Sequence, residues 1–139
     1  LTLFMNCSKI ANVNSKQINK FTNMSTLFKE QIAPFRWVDH DNKSYSVCLD
    51  VGGWKDEIFE SRRDEGFEGN GYDWGSLALV FLEERKPALK EFINFDPEGS
   101  MFCAYSSNAD ALKEFVVSFK EACEDEALIN DLFSRAELD

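Results

Sequence analysis

The pattern of apolar and polar positions is strand-like in the first half of the chain. The stretch PFRWVDHDNKSYSVCLDV contains two runs rich in aromatic and β-branched residues on either side of the polar residues 39–44. In the second run Tyr45, Val47, Leu49 and Val51 would share one face of a strand, because successive side chains alternate between faces. These features predict a β-hairpin.

A second hairpin is predicted over EFINFDPEGSMFCAYSS. Asp96, Pro97 and Gly99 occupy the first, second and fourth positions of a type I turn between two apolar runs. Proline presets φ at the second position, and glycine accepts unusual dihedral angles. Pro97 and Gly99 are therefore assigned structural roles in the turn.

The last third of the chain has a helical period instead. Ser107 and Asp110 fit a capping box at the start of one helix, and a second helix is predicted to begin near Asp125. The apolar positions of these two helices are Leu112, Phe115, Val116, Phe119, Ala122 and Cys123, and then Leu128, Ile129, Leu132 and Phe133.

A third helix is predicted within GFEGNGYDWGSLALVFLEE, residues 66–84. Asp73 is its expected N-cap, because a carboxylate there can accept hydrogen bonds from the free amides of the first turn. Trp74 is its expected core anchor. Leu79 and Val80 lie off the apolar stripe, which predicts contacts on more than one side. The stripe itself consists of Trp74, Leu77, Ala78, Phe81 and Leu82.

The glycines of this stretch do not form a nucleotide-binding motif. Gly66, Gly69 and Gly71 are spaced GxxGxG, whereas phosphate loops use GxGxxG or GxxxxGK[ST]. Glu65 and Glu68 would also repel a phosphate. We interpret the glycines as residues that permit a tight approach to the helix.

Together these elements predict an α+β fold: one domain with a small, mostly antiparallel sheet built from hairpins and packed against about three helices. Residues 54–67 are ambiguous between a further strand and a loop. Residues 1–23, which are rich in asparagine, are interpreted as an N-terminal extension with Met24 as the expected start, and 24–139 as the domain.

Charge restricts the class of partner. The net charge is -10, but residues 1–23 carry three lysines and no acid, so the rest of the chain has 12 basic and 25 acidic side chains and a net charge of -13. Such acidity disfavours binding to nucleic acid or to an anionic membrane. Glu83 and Glu84, in the last turn of the predicted helix, are interpreted as part of a negative patch for a basic partner.

No catalytic, metal or cofactor site is assembled by the sequence. His40 is the only histidine and lies in a polar turn, so it is expected to be solvated rather than catalytic. The cysteines are scattered without a CxxC pair, which is typical of reduced thiols in a cytoplasmic protein. They are Cys7, Cys48, Cys103 and Cys123. The alternative function is a small acidic hydrolase that uses carboxylates, with or without a divalent metal.

The stretch GFEGNGYDWGSLALVFLEE, followed by INFDPEGSMFCAYS and a helical C-terminal segment, resembles the Immunity protein 51 family of bacterial polymorphic toxin systems. The resemblance extends from about Phe35 to the C-terminus and is most specific at 71–74 and 95–98. It implies an intracellular antidote that binds the toxin domain of a secreted or contact-delivered protein, as in contact-dependent growth inhibition.

An inhibitor that acts by occlusion needs a rigid scaffold and a complementary surface rather than catalytic residues. The expected partner is therefore one cognate toxin domain, such as a basic nuclease. The expected toxin-binding residues are Glu65, Glu68, Tyr72, Glu83 and Glu84, with Tyr72 as the exposed aromatic.

Overall fold

Within residues 26–139, which the computed structural model describes, a four-stranded antiparallel sheet has the order β1-β2-β4-β3. Its strands are β1 (Arg36–His40), β2 (Ser44–Asp50), β3 (Asn94–Phe95) and β4 (Met101–Ser106). Both predicted hairpins are present, β1 with β2 and β3 with β4, and β4 joins them by pairing with β2. The predicted α+β class is confirmed.

The turn of the second hairpin lies further along the chain than predicted. The amide of Glu98 donates to the Met101 carbonyl at 2.8 Å, and the amide of Met101 donates to the Glu98 carbonyl at 3.2 Å. The tight turn therefore has Gly99 and Ser100 at its centre, and placing it over 96–99 was wrong. Asp96 is still part of the ladder, since its amide donates to the Cys103 carbonyl.

Three α-helices follow the predicted periodicity: α1 (Gly71–Arg85), α2 (Ala109–Glu124) and α3 (Glu126–Phe133). The cap of α2 differs from the prediction. Asn108, not Ser107, is its N-cap and accepts a hydrogen bond from the Ala111 amide at 3.0 Å. An asparagine side chain caps a helix as well as serine does. Asp125 is the N-cap of α3, where the sequence predicted its start.

The ambiguous segment is neither a strand nor an irregular loop. Asp56–Glu65 forms a 3-10 helical segment that buries Ile58 and Phe59. Phe59 contacts Trp74 and Phe133, with ring centroids 5.1 Å apart in both cases. Tertiary packing of two apolar side chains therefore fixes a segment whose other residues are mostly charged.

Aromatic side chains make up much of the core. Trp74 of α1 stacks on Trp54 at 5.9 Å and meets Phe119 of α2 edge-on at 6.2 Å. Phe102 of β4 contacts the same Phe119 at 6.1 Å. Such pairs stabilise a fold by about 0.5–1.5 kcal/mol each beyond the burial of their area.

Ile32–Asp139 form one compact unit, and the described residues before it, 26–31, are helical. The predicted extension, 1–23, lies outside the described residues. Across 26–139, no helix combines the length and the apolar character that crossing a membrane requires.

Candidate functional site

The loop before α1 is organised by one buried carboxylate. Asp73 accepts hydrogen bonds from the amides of Glu68 at 2.7 Å, Gly69 at 2.8 Å and Asn70 at 3.4 Å. Asn70 is the N-cap, and its side chain accepts from the Asp73 amide at 2.9 Å. The prediction of Asp73 as N-cap was wrong, because α1 begins earlier and Asp73 is the third helical residue of a capping box.

The start of α1 lies directly against the turn of the second hairpin. The Gly71 amide donates to the Gly99 carbonyl at 3.1 Å. A Cβ atom at Gly71 would lie 1.9 Å from the carbonyl oxygen of Glu98, so only glycine fits there. One turn further along α1, Gly75 faces the ring of Pro97. These contacts fix the start of α1 against the turn between β3 and β4.

The outward side of α1 exposes apolar groups. Tyr72 is 44% exposed and Leu79 is 41% exposed, and spacing places them on one side of the helix with Ser76 between them. Leu138, which follows α3, is 50% exposed beside them. These four residues, with Glu137, line a shallow depression that we call the α1 face. Exposed apolar side chains grouped in this way are typical of interaction surfaces.

Two neighbouring depressions extend the α1 face in opposite directions. One contains Glu68 together with Tyr72 and Leu138. The other contains Glu83 and Glu84 together with Ser76, Leu79 and Glu137. The α1 face therefore lies between Glu68 and the pair formed by Glu83 and Glu84.

The acids that the sequence singled out differ in their pairing. Glu84 forms a bidentate ion pair with Arg135, at 2.7 and 2.8 Å, and Glu83 pairs with Lys90. The hydrogen bond from Arg135 lowers the pKa of Glu84. Neutralised pairs of this kind contribute less to an external field than unpaired carboxylates do.

Glu65 belongs to a structural network rather than to the α1 face. Arg62 donates to both of its carboxylate oxygens, at 2.9 and 3.0 Å, and this hydrogen bonding lowers the pKa of Glu65. The same guanidinium donates to the carbonyls of Phe133 and Ala136 and covers the ring of Phe67. Arg62 thus ties the 3-10 segment to the end of α3.

Unpaired acids remain around the α1 face. No lysine or arginine within 26–139 forms an ion pair with Glu68, Glu137 or Asp139. Glu137 and Leu138 were not predicted as site residues, because nothing in the sequence indicated that the segment after α3 lies beside α1. The sequence did provide a signal for Leu79, an apolar residue off the buried stripe, although this side chain, which was predicted to contact protein, is 41% exposed. Val80, also off the stripe, is buried.

His40 is at the end of β1, where its Nε2 atom lies 2.9 Å from the Ser46 hydroxyl oxygen. Among the described residues, no group of three or more histidine, cysteine or acidic side chains is arranged to hold a metal ion.

Comparison with known proteins gave one informative result. Neither the curated proteins nor the solved structures include a match to this sequence. A family model described as Immunity protein 51, however, matches residues 35–138, which confirms the resemblance noted from the sequence. This match covers most of the chain and nearly all of its compact unit, so the protein belongs to the Immunity protein 51 family.

Proposed function

We propose that this protein binds one cognate bacterial toxin domain in the cytoplasm and neutralises it by occlusion, without catalysis, thereby protecting the producing cell. Family membership supports an immunity role. The main structural support for the proposed binding mode is the α1 face. There the exposed side chains of Tyr72, Leu79 and Leu138 are surrounded by unpaired carboxylates.

The composition of the α1 face suits a protein partner. Tyrosine is enriched at binding hot spots because it combines apolar area with a hydroxyl and loses little conformational entropy. Tyr72 and Leu79 are held on a helix whose start is fixed by Gly71 and Asp73, so little ordering is needed on binding. A rigid apolar centre with a polar rim is the usual anatomy of a specific interface.

Charge indicates the kind of toxin surface that fits. Glu68, Glu137 and Asp139 can meet cationic side chains without giving up an internal ion pair. Glu83 and Glu84 lie beside the α1 face, but their ion pairs with Lys90 and Arg135 reduce their contribution to the field, and Glu65 lies further from the α1 face. We therefore propose that a basic toxin surface, such as that of a nuclease, covers the α1 face and contacts Tyr72 centrally.

The test compares two exposed tyrosines. Tyr72 lies on the α1 face, whereas Tyr105 of β4, exposed to 41%, lies on the sheet. Affinity for the toxin-like domain encoded beside this protein is measured by calorimetry for Tyr72→Ala and Tyr105→Ala. We expect Tyr72→Ala to weaken binding by about 2 kcal/mol or more, roughly 30-fold in Kd, and Tyr105→Ala to leave it unchanged.

If Tyr105→Ala weakened binding more than Tyr72→Ala did, the toxin-binding surface would lie on the sheet and not on the α1 face. The proposed function would be rejected if the wild-type protein did not bind the toxin domain and did not protect cells that express it. Both variants must retain the wild-type melting temperature, because neither side chain is part of the core.

A further inference from the structure

Two cysteines face each other in the centre of the sheet. Cys48 of β2 and Cys103 of β4 are direct cross-strand partners, and their Sγ atoms lie 3.4 Å apart. Both thiols are free. Cys123, the remaining described cysteine, lies in α2, so it is not part of this pair.

The hydrogen-bond ladder gives this pair the geometry of a cross-strand disulfide site. The Val51 amide donates to the Ser100 carbonyl, which makes these two residues a hydrogen-bonded pair. Because such pairs alternate with non-hydrogen-bonded pairs along antiparallel strands, Cys48 and Cys103 form a non-hydrogen-bonded pair. Cα atoms in these pairs are about 4.5 Å apart, and disulfides need roughly 4.4–6.8 Å.

The thiols point away from the helices. Their neighbours Val47, Ala104 and Phe102 are completely buried, and Phe102 contacts α2. Since side chains alternate between faces, Cys48 and Cys103 lie on the opposite face of the sheet, where they are 7% and 9% exposed.

The environment gives the two sulfur atoms different reactivity. A hydrogen bond with Cys103 lowers the pKa of Cys48, although burial opposes this effect; Arg36 lowers it further and Asp50 raises it. The same contact and burial raise the pKa of Cys103 far above its usual range, and Asp96 adds to this effect. Cys48 is therefore the more acidic of the two thiols and the one that supplies the thiolate, which is the nucleophilic form.

We propose that Cys48 and Cys103 form an oxidation site at which a peroxide closes a reversible disulfide between β2 and β4. The Cys48 thiolate attacks one peroxide oxygen, the O–O bond breaks, and hydroxide leaves to give a sulfenic acid on Cys48. The Cys103 sulfur then attacks the Cys48 sulfur, the S–S bond forms, and the hydroxyl leaves with the Cys103 proton as water. Two thiols lose two electrons, and hydrogen peroxide is reduced to two waters.

The bond would join the two central strands and close a loop that contains the 3-10 segment and α1. This restricts the unfolded chain strongly, because many residues lie between the two cysteines. Oxidation would thus make the protein more resistant to unfolding. The inference is independent of the proposed toxin partner.

The test treats the full-length protein with hydrogen peroxide, then unfolds it, alkylates free thiols and maps the peptides. We expect a linked peptide pair containing Cys48 and Cys103 and a mass lower by two hydrogen atoms, both reversed by dithiothreitol. Cys123 should remain alkylated. The melting temperature should rise by on the order of 10 °C without reductant.

Variants separate this site from other thiol chemistry. Cys7→Ser removes a cysteine outside the described residues and should leave the product unchanged. Cys103→Ser should stop the reaction at a Cys48 sulfenic acid that dimedone traps, whereas Cys48→Ser should leave Cys103 unreactive. The wild-type reaction rate should rise with pH as the Cys48 thiol ionises, and Arg36→Met should shift that rise to higher pH, because Arg36 lowers the pKa of Cys48.

Three results would overturn the proposal. They are the persistence of both thiols after peroxide treatment, a disulfide only between separate chains, and equal reactivity of Cys48 and Cys103 in the single variants. Peptide mapping of the wild-type protein decides the matter even if a serine variant does not fold.

Discussion

Gly71 and Glu98 approach so closely that a Cβ atom at position 71 would lie 1.9 Å from the Glu98 carbonyl oxygen. This contact joins the start of α1 to the turn of the second hairpin. It also explains the last glycine of GFEGNG, which is required by close packing of two backbones and not by a bound phosphate.

Gly71→Ala should therefore be strongly destabilising. The new methyl group meets backbone atoms, which cannot move aside as a flexible side chain can, so we expect the upper part of the about 1–3 kcal/mol range for overpacking, or more. Gly53→Ala is the matched control, because a Cβ there meets nothing within 4 Å. Urea denaturation of both variants checks this, and equal stabilities would show that α1 can shift away from the turn.

Asp73 should matter more to stability than Asn70, although Asn70 is the N-cap. Asn70→Ala removes one capping acceptor and should cost about 1 kcal/mol. Asp73→Ala leaves the amides of Glu68, Gly69 and Asn70 without their acceptor, and each unsatisfied buried donor costs about 1–3 kcal/mol. Chemical denaturation ranks the two variants. A larger loss in Asn70→Ala would mean that water replaces the Asp73 carboxylate.

The main elements could be predicted because their patterns are local. The stripe from Trp74 to Leu82 and the alternation in β2 each identify a face, and both are present in the structure. Boundaries were less certain, since Asn70 and Asp73 are both good capping residues and only packing against Gly99 decides where α1 begins. Similarly, Pro97 favours a turn at 96–99, but pairing between β3 and β4 places the turn at 98–101.

The candidate site depended on contacts between distant parts of the chain. Glu65 and Glu84 look like free surface acids in the sequence, yet arginines bind both of them. Arg135 is 51 residues away from Glu84, so no local pattern reveals the pair. The position of Leu138 beside Tyr72 also depends on packing between distant parts of the chain, so no local pattern reveals it.

Low pH should reduce the unfolding free energy, partly because it breaks the ion pairs of Arg135. This side chain pairs with Glu84 and Asp131, and its hydrogen bonds lower the pKa of both carboxyls below their ordinary values of 4.5 and 3.8. Because the folded-state pKa values are lowered, the stabilisation is complete above the unfolded-state values and is lost as the pH falls through the folded-state values.

We therefore expect the unfolding free energy of the wild-type protein to fall below about pH 4.5 and that of Arg135→Gln to fall less steeply. Arg85→Gln is the control, since the described residues give Arg85 no ion pair. Denaturation at a series of pH values gives the slopes. Identical slopes for the two variants would contradict the assignment.

Trp74→Ala should remove much of the stability of the domain. Its ring is almost fully buried between Trp54, Phe59 and Phe119, and truncation of a core tryptophan costs about 3–5 kcal/mol. Thermal unfolding measures the loss, with Tyr72→Ala as the exposed aromatic control. A Trp74→Ala protein that melts normally but no longer binds its partner would show that Trp74 acts in recognition.

The last prediction concerns how charge contributes to protection. If a basic toxin surface is attracted by the acids around the α1 face, rising salt should slow association more than it speeds dissociation, because screening acts over about 8–10 Å.

Charge reversal of these acids should also slow association, even at low salt. Glu137→Lys removes an unpaired carboxylate and should reduce the association rate without a change in melting temperature. Glu84→Lys should reduce the rate less, because Arg135 already neutralises this carboxylate, and loss of the pair should lower the stability slightly. Glu114→Lys, which alters an acid on α2 that pairs with Lys86, provides the control for net charge alone. Stopped-flow association with the toxin domain and survival of cells that express the toxin measure the outcome. Equal effects of Glu137→Lys and Glu114→Lys would mean that total charge, not the α1 face, attracts the toxin.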